Sequence, residues 1–257
     1  MFIPEVAEQF QAAGITALIY DPRNTGTSEG QPRNEIDPTK QVEDYSDALT
    51  FLNSLSIVDQ DSIGFWGMSF SATISLCAVA LDKRAKFVIA VCPLMAFEGD
   101  GERFSSILVK TMKDREFQLK GNLPFYIPLL TENGESPAGI GIWADKEVLE
   151  YISTAKERIS SSFESRITIQ TYYKMVQWQP SGLMRYVSPT PAMIVVPEND
   201  KVSPPDGQIA LFNSLSEPKK MHMALGKGHL NVLSGSDFPN LMKLQVGWLS
   251  AAVENVE

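Results

Sequence analysis

Residues Ile63-Gly-Phe-Trp-Gly67-Met-Ser69-Phe70-Ser71-Ala-Thr73 pass from an apolar run straight into a helix-forming run through Gly-x-Ser-x-Ser. A serine on so tight a strand-to-helix turn is held in a strained conformation with its hydroxyl exposed, and the residues two before and two after it must be small. Gly67 and Ser71 both meet that demand. The turn also sets Ser69 at a helix N-terminus, where backbone N–H groups favour developing negative charge. The N–H of Phe70, the next residue, is the expected oxyanion donor for attack on an acyl carbonyl. Taken alone, the pattern also fits a serine that merely caps a helix.

A serine nucleophile needs a base, and the chain holds two histidines, His222 and His229. His222 lies inside Lys-Lys-Met-His-Met-Ala, where strand alternation makes it structural. His229 follows that strand in Gly226-Lys-Gly228-His229, a glycine-flanked loop able to bring an imidazole to the carboxyl ends of parallel strands, where open α/β sheets bind ligands. The base in turn needs an acid that fixes its tautomer. Asp200 stands in the turn after Met193-Ile-Val-Val-Pro197-Glu-Asn-Asp200, and Glu198 is the alternative acid in the same turn. An Asp after Asn is commonly only a turn former.

These residues require elements to carry them. Ile3, Val6, Phe10 and Ala13 recur at helical spacing, Gly14 stops that helix, and Ile15–Tyr20 follows as a strand. A Gly/Pro/Asn/Asp-rich loop leads to a helix over Gln41–Leu55. Strand Ser62–Trp66, helix Ser71–Leu81 and strand Phe87–Cys92 then give the βαβ pattern of a parallel sheet. From Leu94 to about Val187 no strand is expected, only helices around Ser105–Met112, Lys146–Ile159 and Ile167–Val176. The sheet resumes with Ala192–Val196, a helix at Gly207–Leu215, strand Lys220–Leu225 and a closing helix Asn240–Val253. The expected organisation is a core over residues 1–93 and 188–257, with a helical cap, 94–187, inserted between. Aromatic cap residues Trp143, Tyr172 and Trp178 are candidates to line a substrate pocket.

With 257 residues, 44% of them hydrophobic, the chain is long enough for a substantial core. A net charge of −9 opposes binding to nucleic acid or to an anionic membrane, both of which need a basic face. Cys77 and Cys92 sit in apolar runs without metal-ligand spacing and are read as core thiols. No metal or cofactor is expected. There is no secretory leader pattern and no apolar run of about 20 residues, so a soluble cytoplasmic protein is the expectation.

The stretches FIPEVAEQFQAAGITALIYDPRNTGTSEGQPRNEIDP, QVEDYSDALTFL, IGFWGMSFS and DKRAKFVIAVCP, with ENDKVSP and GKGHLNV, resemble α/β-hydrolases. More closely, they resemble the polyketide transferase and thiohydrolase-like enzymes of fungal polyketide gene clusters. The resemblance implies the α/β-hydrolase fold, a mostly parallel sheet with helices on both faces and a helical cap. It also implies the chain order Ser69…Asp200…His229 for the triad. The implied activity is acyl transfer on a polyketide-type thioester or ester, delivered by a synthase carrier domain and released by water or an alcohol. Some relatives of the fold form or cleave carbon–carbon bonds instead, and a truncated, inactive homologue that only binds is the other alternative. In the loop after Tyr20, Asp21, Arg23, Gly26, Ser28 and Gly30 match a superfamily pattern read as loop architecture.

Two departures from the family pattern stand out. Ser71 replaces the glycine usual two residues after the nucleophile, a small steric change. The chain also starts at the helix that normally follows the third strand, whose loop usually supplies the second oxyanion donor. An N-terminally short chain is therefore expected, with Ile15–Tyr20 and Ser62–Trp66 lacking the strand that normally lies between them.

Overall fold

A computed structural model describes residues 3–95, 101–133, 135–138, 146–159 and 164–254. Eight helices are seen among them: α1 (Ile3–Ala12), α2 (Pro38–Asn53), α3 (Phe70–Leu81), α4 (Gly101–Leu119), α5 (Lys146–Ile159), α6 (Gln170–Gln177), α7 (Pro205–Ser214) and α8 (Phe238–Glu254). The strands are β1 (Phe65–Met68), β2 (Val88–Val91), β3 (Tyr126–Pro128), β4 (Arg166–Thr168), β5 (Ala192–Pro197) and β6 (Lys219–Ala224). Two compact units result, one of residues 1–19, 42–95 and 180–257, the other of residues 20–41 and 96–179. The segment 20–41, which the sequence reading keeps with the core, groups with the second unit.

The first unit is built on a parallel sheet in the order β1-β2-β5-β6. Phe65 pairs with Val88, Val88 with Ala192 and Val195 with His222. The two central strands are buried along their whole length, as their unbroken apolar runs require when helices cover both faces of a parallel sheet. Val6 and Phe10 of α1, with Leu241, Met242 and Leu249 of α8, pack on Ile89, Val91, Met193 and Val195. Helix α3 is buried from Ala72 to Ala80; its Ala and Ser side chains let its backbone lie close to β1 and β2.

The expected strand at 15–20 is not formed. Those residues join no ladder among the described strands, and Leu18 and Ile19 are 38% and 47% exposed. A strand is a property of a pair, and no described strand offers these residues a partner. β1 is correspondingly an edge strand. Phe65 N–H donates to Phe87 on the β2 side, so the Trp66 carbonyl faces away, and it accepts from the Tyr45 hydroxyl of α2 at 2.9 Å. The Trp66 indole N–H donates to Gln245 of α8 at 2.8 Å. Side chains thus engage part of an edge that would otherwise be left to water.

The second unit departs from the all-helical expectation. β3 and β4 form an antiparallel pair, with Tyr126 opposite Thr168 and Pro128 opposite Arg166. The expected helix Ile167–Val176 is therefore split, strand to Thr168 and helix from Gln170. Ile167 and Ile169 are both buried with Ile107, Ala138 and Tyr172 in one cluster. In the 20–41 segment, Asp21 Oδ2 accepts from Thr27 N–H and hydroxyl at 2.9 and 3.0 Å, and Arg33 donates to the carbonyls of Gly26 and Ser28. Gly26 has φ +51°, and a Cβ there would lie 2.2 Å from the Asp21 carboxylate, so the loop's own polar groups demand glycine. No helix among the described residues is long and apolar enough to cross a membrane.

Candidate active site

Ser69 sits between β1 and α3 at φ 58°, ψ −122°, outside the regions open to ordinary side chains. Its N–H donates to Val91 at 2.9 Å, and its carbonyl accepts from Leu94 at 3.2 Å, so the end of β2 clamps the turn from both sides. A Cβ on Gly67 would lie 2.4 Å from the Ser71 carbonyl oxygen, which is why the position two before the serine has no side chain. Phe70 is the first residue of α3, with its N–H at the head of the helix immediately after Ser69.

The loop after β6 carries His229 to this turn. His229 Nε2 is 2.7 Å from Ser69 Oγ, and Nδ1 is 2.8 Å from Asp200 Oδ2. His229 and Asp200 are each only 4% exposed. Asp200 Oδ1 accepts from the N–H groups of Val202 and Ser203 at 2.9 and 2.7 Å, and Oδ2 accepts a second bond from Gln208 Nε2 at 2.9 Å. With four hydrogen-bond partners on it, the carboxylate is held in one plane. An Nδ1–H donated to this carboxylate would leave Nε2 as the acceptor facing Ser69 Oγ.

The structure thus brings Ser69, His229 and Asp200 into one hydrogen-bonded chain. Glu198 is engaged elsewhere, accepting from Gly226 N–H at 2.7 Å. His222 lies within β6, opposite Val195, its imidazole pKa lowered by burial and by Lys220. Of the candidate pocket residues, Tyr172 is buried within the second unit, its hydroxyl 3.3 Å from Ser136 Oγ. Trp178 ends α6 and lines a cavity of about 410 Å³, in the same unit, with Lys40, Arg115, Gln170 and Lys174 among its neighbours. Trp143 lies outside the described residues.

Three features near the triad were not read from the sequence. Ser203 Oγ donates to the Pro93 carbonyl at 2.7 Å, tying the acid turn to the end of β2. The Cys92 thiol points at the His229 carbonyl, 3.9 Å away, and its Sγ lies with the Asp200 and His229 ligand atoms inside 4.8 Å. Burial and the Asp200 charge push that thiol well above its ordinary pKa, so it stays protonated, a poor metal ligand. Gln208 is the third. Its spacing from Leu211 and Leu215 puts a polar residue in an apolar stripe, the one sign that it faces inward.

The sequence matches the X-Pro dipeptidyl-peptidase (S15 family) description across residues 4–231. The chain belongs to the S15 family. Within reach of this S15-family chain are a thiohydrolase of Eupenicillium brefeldianum, 54% identical over 95% of this chain and 80% of the relative, and polyketide transferase claH of Penicillium crustosum, 41% identical over 97% and 82%. The crystal structure of the alpha/beta hydrolase GrgF from Penicillium sp. sh18 superposes with a TM-score of 0.88 at 38% identity, covering 98% of this chain and 85% of that one. This S15-family protein is accordingly an α/β-hydrolase-fold enzyme of the hydrolase or transferase type.

Proposed function

We propose that the protein is a serine acyl-transfer enzyme acting on a polyketide-type acyl thioester or ester, with Ser69 as nucleophile, His229 as general base and Asp200 as its orienting acid. The observation that carries this reading is the unbroken chain Ser69 Oγ–His229 Nε2, His229 Nδ1–Asp200 Oδ2, at 2.7 and 2.8 Å. The relatives named thiohydrolase and polyketide transferase support the substrate class.

In the proposed reaction His229 Nε2 takes the Ser69 proton as Oγ attacks the acyl carbonyl, and the Phe70 N–H helps hold the oxyanion. The imidazolium returns that proton to the departing thiolate or alkoxide, leaving the acyl group on Ser69. Water or an acceptor alcohol then gives its proton to His229 and its oxygen to the acyl carbon, and Ser69 leaves reprotonated. A synthase carrier domain is the proposed donor of the acyl chain. A cytoplasmic setting is part of the proposal, and the two buried free thiols, Cys77 and Cys92, fit a reducing compartment.

Acyl thioesters of N-acetylcysteamine, assayed by release of free thiol, test the reading. The wild type is expected to turn them over, and Ser69→Ala to lose activity by more than about 10³-fold while remaining folded. Thiol release by the purified alanine variant at the wild-type rate contradicts the assignment.

A further inference from the structure

We infer that Gln208 is a positioning residue of the Ser69 site, holding the Asp200 carboxylate in the plane that His229 requires; this rests on the reading of Ser69, His229 and Asp200 above. Gln208 is fully buried on α7. Its Nε2 donates to Asp200 Oδ2 at 2.9 Å and to the Ser203 carbonyl at 2.6 Å. Both neighbours are acceptors, so the amide can face them only with its NH2 group. Its Oε1 is left buried with no hydrogen-bond partner among the described residues.

That arrangement is unfavourable for packing alone. A buried amide oxygen without a donor loses its hydration for nothing, whereas Leu or Met would fill the space beside Leu211 without that cost. What Gln208 supplies and an apolar residue cannot is a second donor on the very oxygen that accepts from His229 Nδ1. Two donors on Oδ2 fix its lone pairs, so the carboxylate cannot rotate away when His229 becomes charged. Among the described residues, the ionisable groups beside Asp200 are His229 from the loop after β6 and Cys92 from the end of β2; Gln208 adds a donor without adding a charge. The Ser203 bond ties the same amide to the turn that gives Asp200 its two backbone donors, making acid, turn and helix one unit.

The test is the rate at which a fluorophosphonate probe labels Ser69, followed by intact mass across pH, in the wild type, Gln208→Met and Gln208→Glu. The Met variant keeps the volume and loses the donor. Its maximal labelling rate should fall about tenfold at unchanged probe affinity, the loss expected for one charge-assisted hydrogen bond. In the Glu variant two carboxyl groups share one proton, and the protonated one reproduces the donor. Its labelling rate, as a fraction of the wild-type rate at the same pH, should therefore be highest on the acid side and fall as pH rises. Folded Met and Glu variants with the wild-type rate and pH profile would overturn the role of Gln208, even while Ser69 labels normally. No labelling of the wild type would overturn the reading of the triad instead. If the Met variant does not fold, the pH dependence of the Glu variant decides alone.

Discussion

Glu198 accepts from the Gly226 N–H at 2.7 Å, joining the turn after β5 to the loop after β6. The turn carries Asp200 and the loop carries His229, and the same two segments are also joined by the Asn199 N–H, which donates to the Lys227 carbonyl at 2.8 Å. Glu198→Gln keeps an acceptor oxygen and should leave thioester turnover within about threefold of wild type, since an exposed hydrogen bond is worth little. Loss of activity comparable to that of an Asp200 variant, measured on purified protein, would transfer the acid role to Glu198.

Asp200→Asn should lower kcat by about 10⁴-fold with the fold intact, because an amide can donate to His229 Nδ1 and so turn the imidazole into the wrong tautomer. The check is kcat together with the circular dichroism spectrum. A folded variant at near-wild-type kcat would remove Asp200 from the mechanism.

Gly67→Ala tests the elbow rather than the chemistry. The added Cβ meets the Ser71 carbonyl oxygen at 2.4 Å, a backbone atom that cannot move without displacing α3. A destabilisation of about 2–3 kcal/mol is expected, seen as a Tm lower by roughly 4–10 °C. An unchanged Tm would mean that the elbow is looser than its geometry implies.

Lys174 bridges Glu35 and Asp37 at 2.8 Å each in the second unit. Burial raises the Asp37 pKa, but the Lys174 hydrogen bond and charge outweigh it and hold the carboxyl below its ordinary 3.8. A depressed acid contributes stability that is fully present above its unfolded-state pKa and is lost as pH falls through the folded value. The wild type should therefore lose more stability than Asp37→Asn between neutral pH and about pH 3. Parallel denaturation curves for the two proteins across that range would contradict the sign.

How much of this was legible in the sequence follows from what each feature depends on. The Ser69 elbow depends on neighbouring residue sizes, and Gly67 and Ser71 display them directly. The parallel strands β2 and β5 are buried on both faces, so their apolar runs announce them. Residues 15–20 have the same kind of run, yet a strand needs a ladder, and no composition shows whether a partner is there. β3 and β4 have three residues each and pair across some forty positions, too short a run for a strand period to show against the helix that follows at Gln170. That Asp200 and His229 come together beside Ser69 was legible from turn chemistry and glycine flanks. Gln208 was not, because its meaning lies in where one amide points.

The most direct measurement is rapid-quench peptide mapping of the wild-type enzyme mixed with an acyl N-acetylcysteamine thioester. If the enzyme works by acyl transfer, the acyl mass is found on the peptide containing Ser69, at that residue, within the first turnover, and it disappears as substrate is consumed. Turnover with no acyl group on Ser69, or with the group on another side chain, contradicts the assignment of Ser69 as nucleophile.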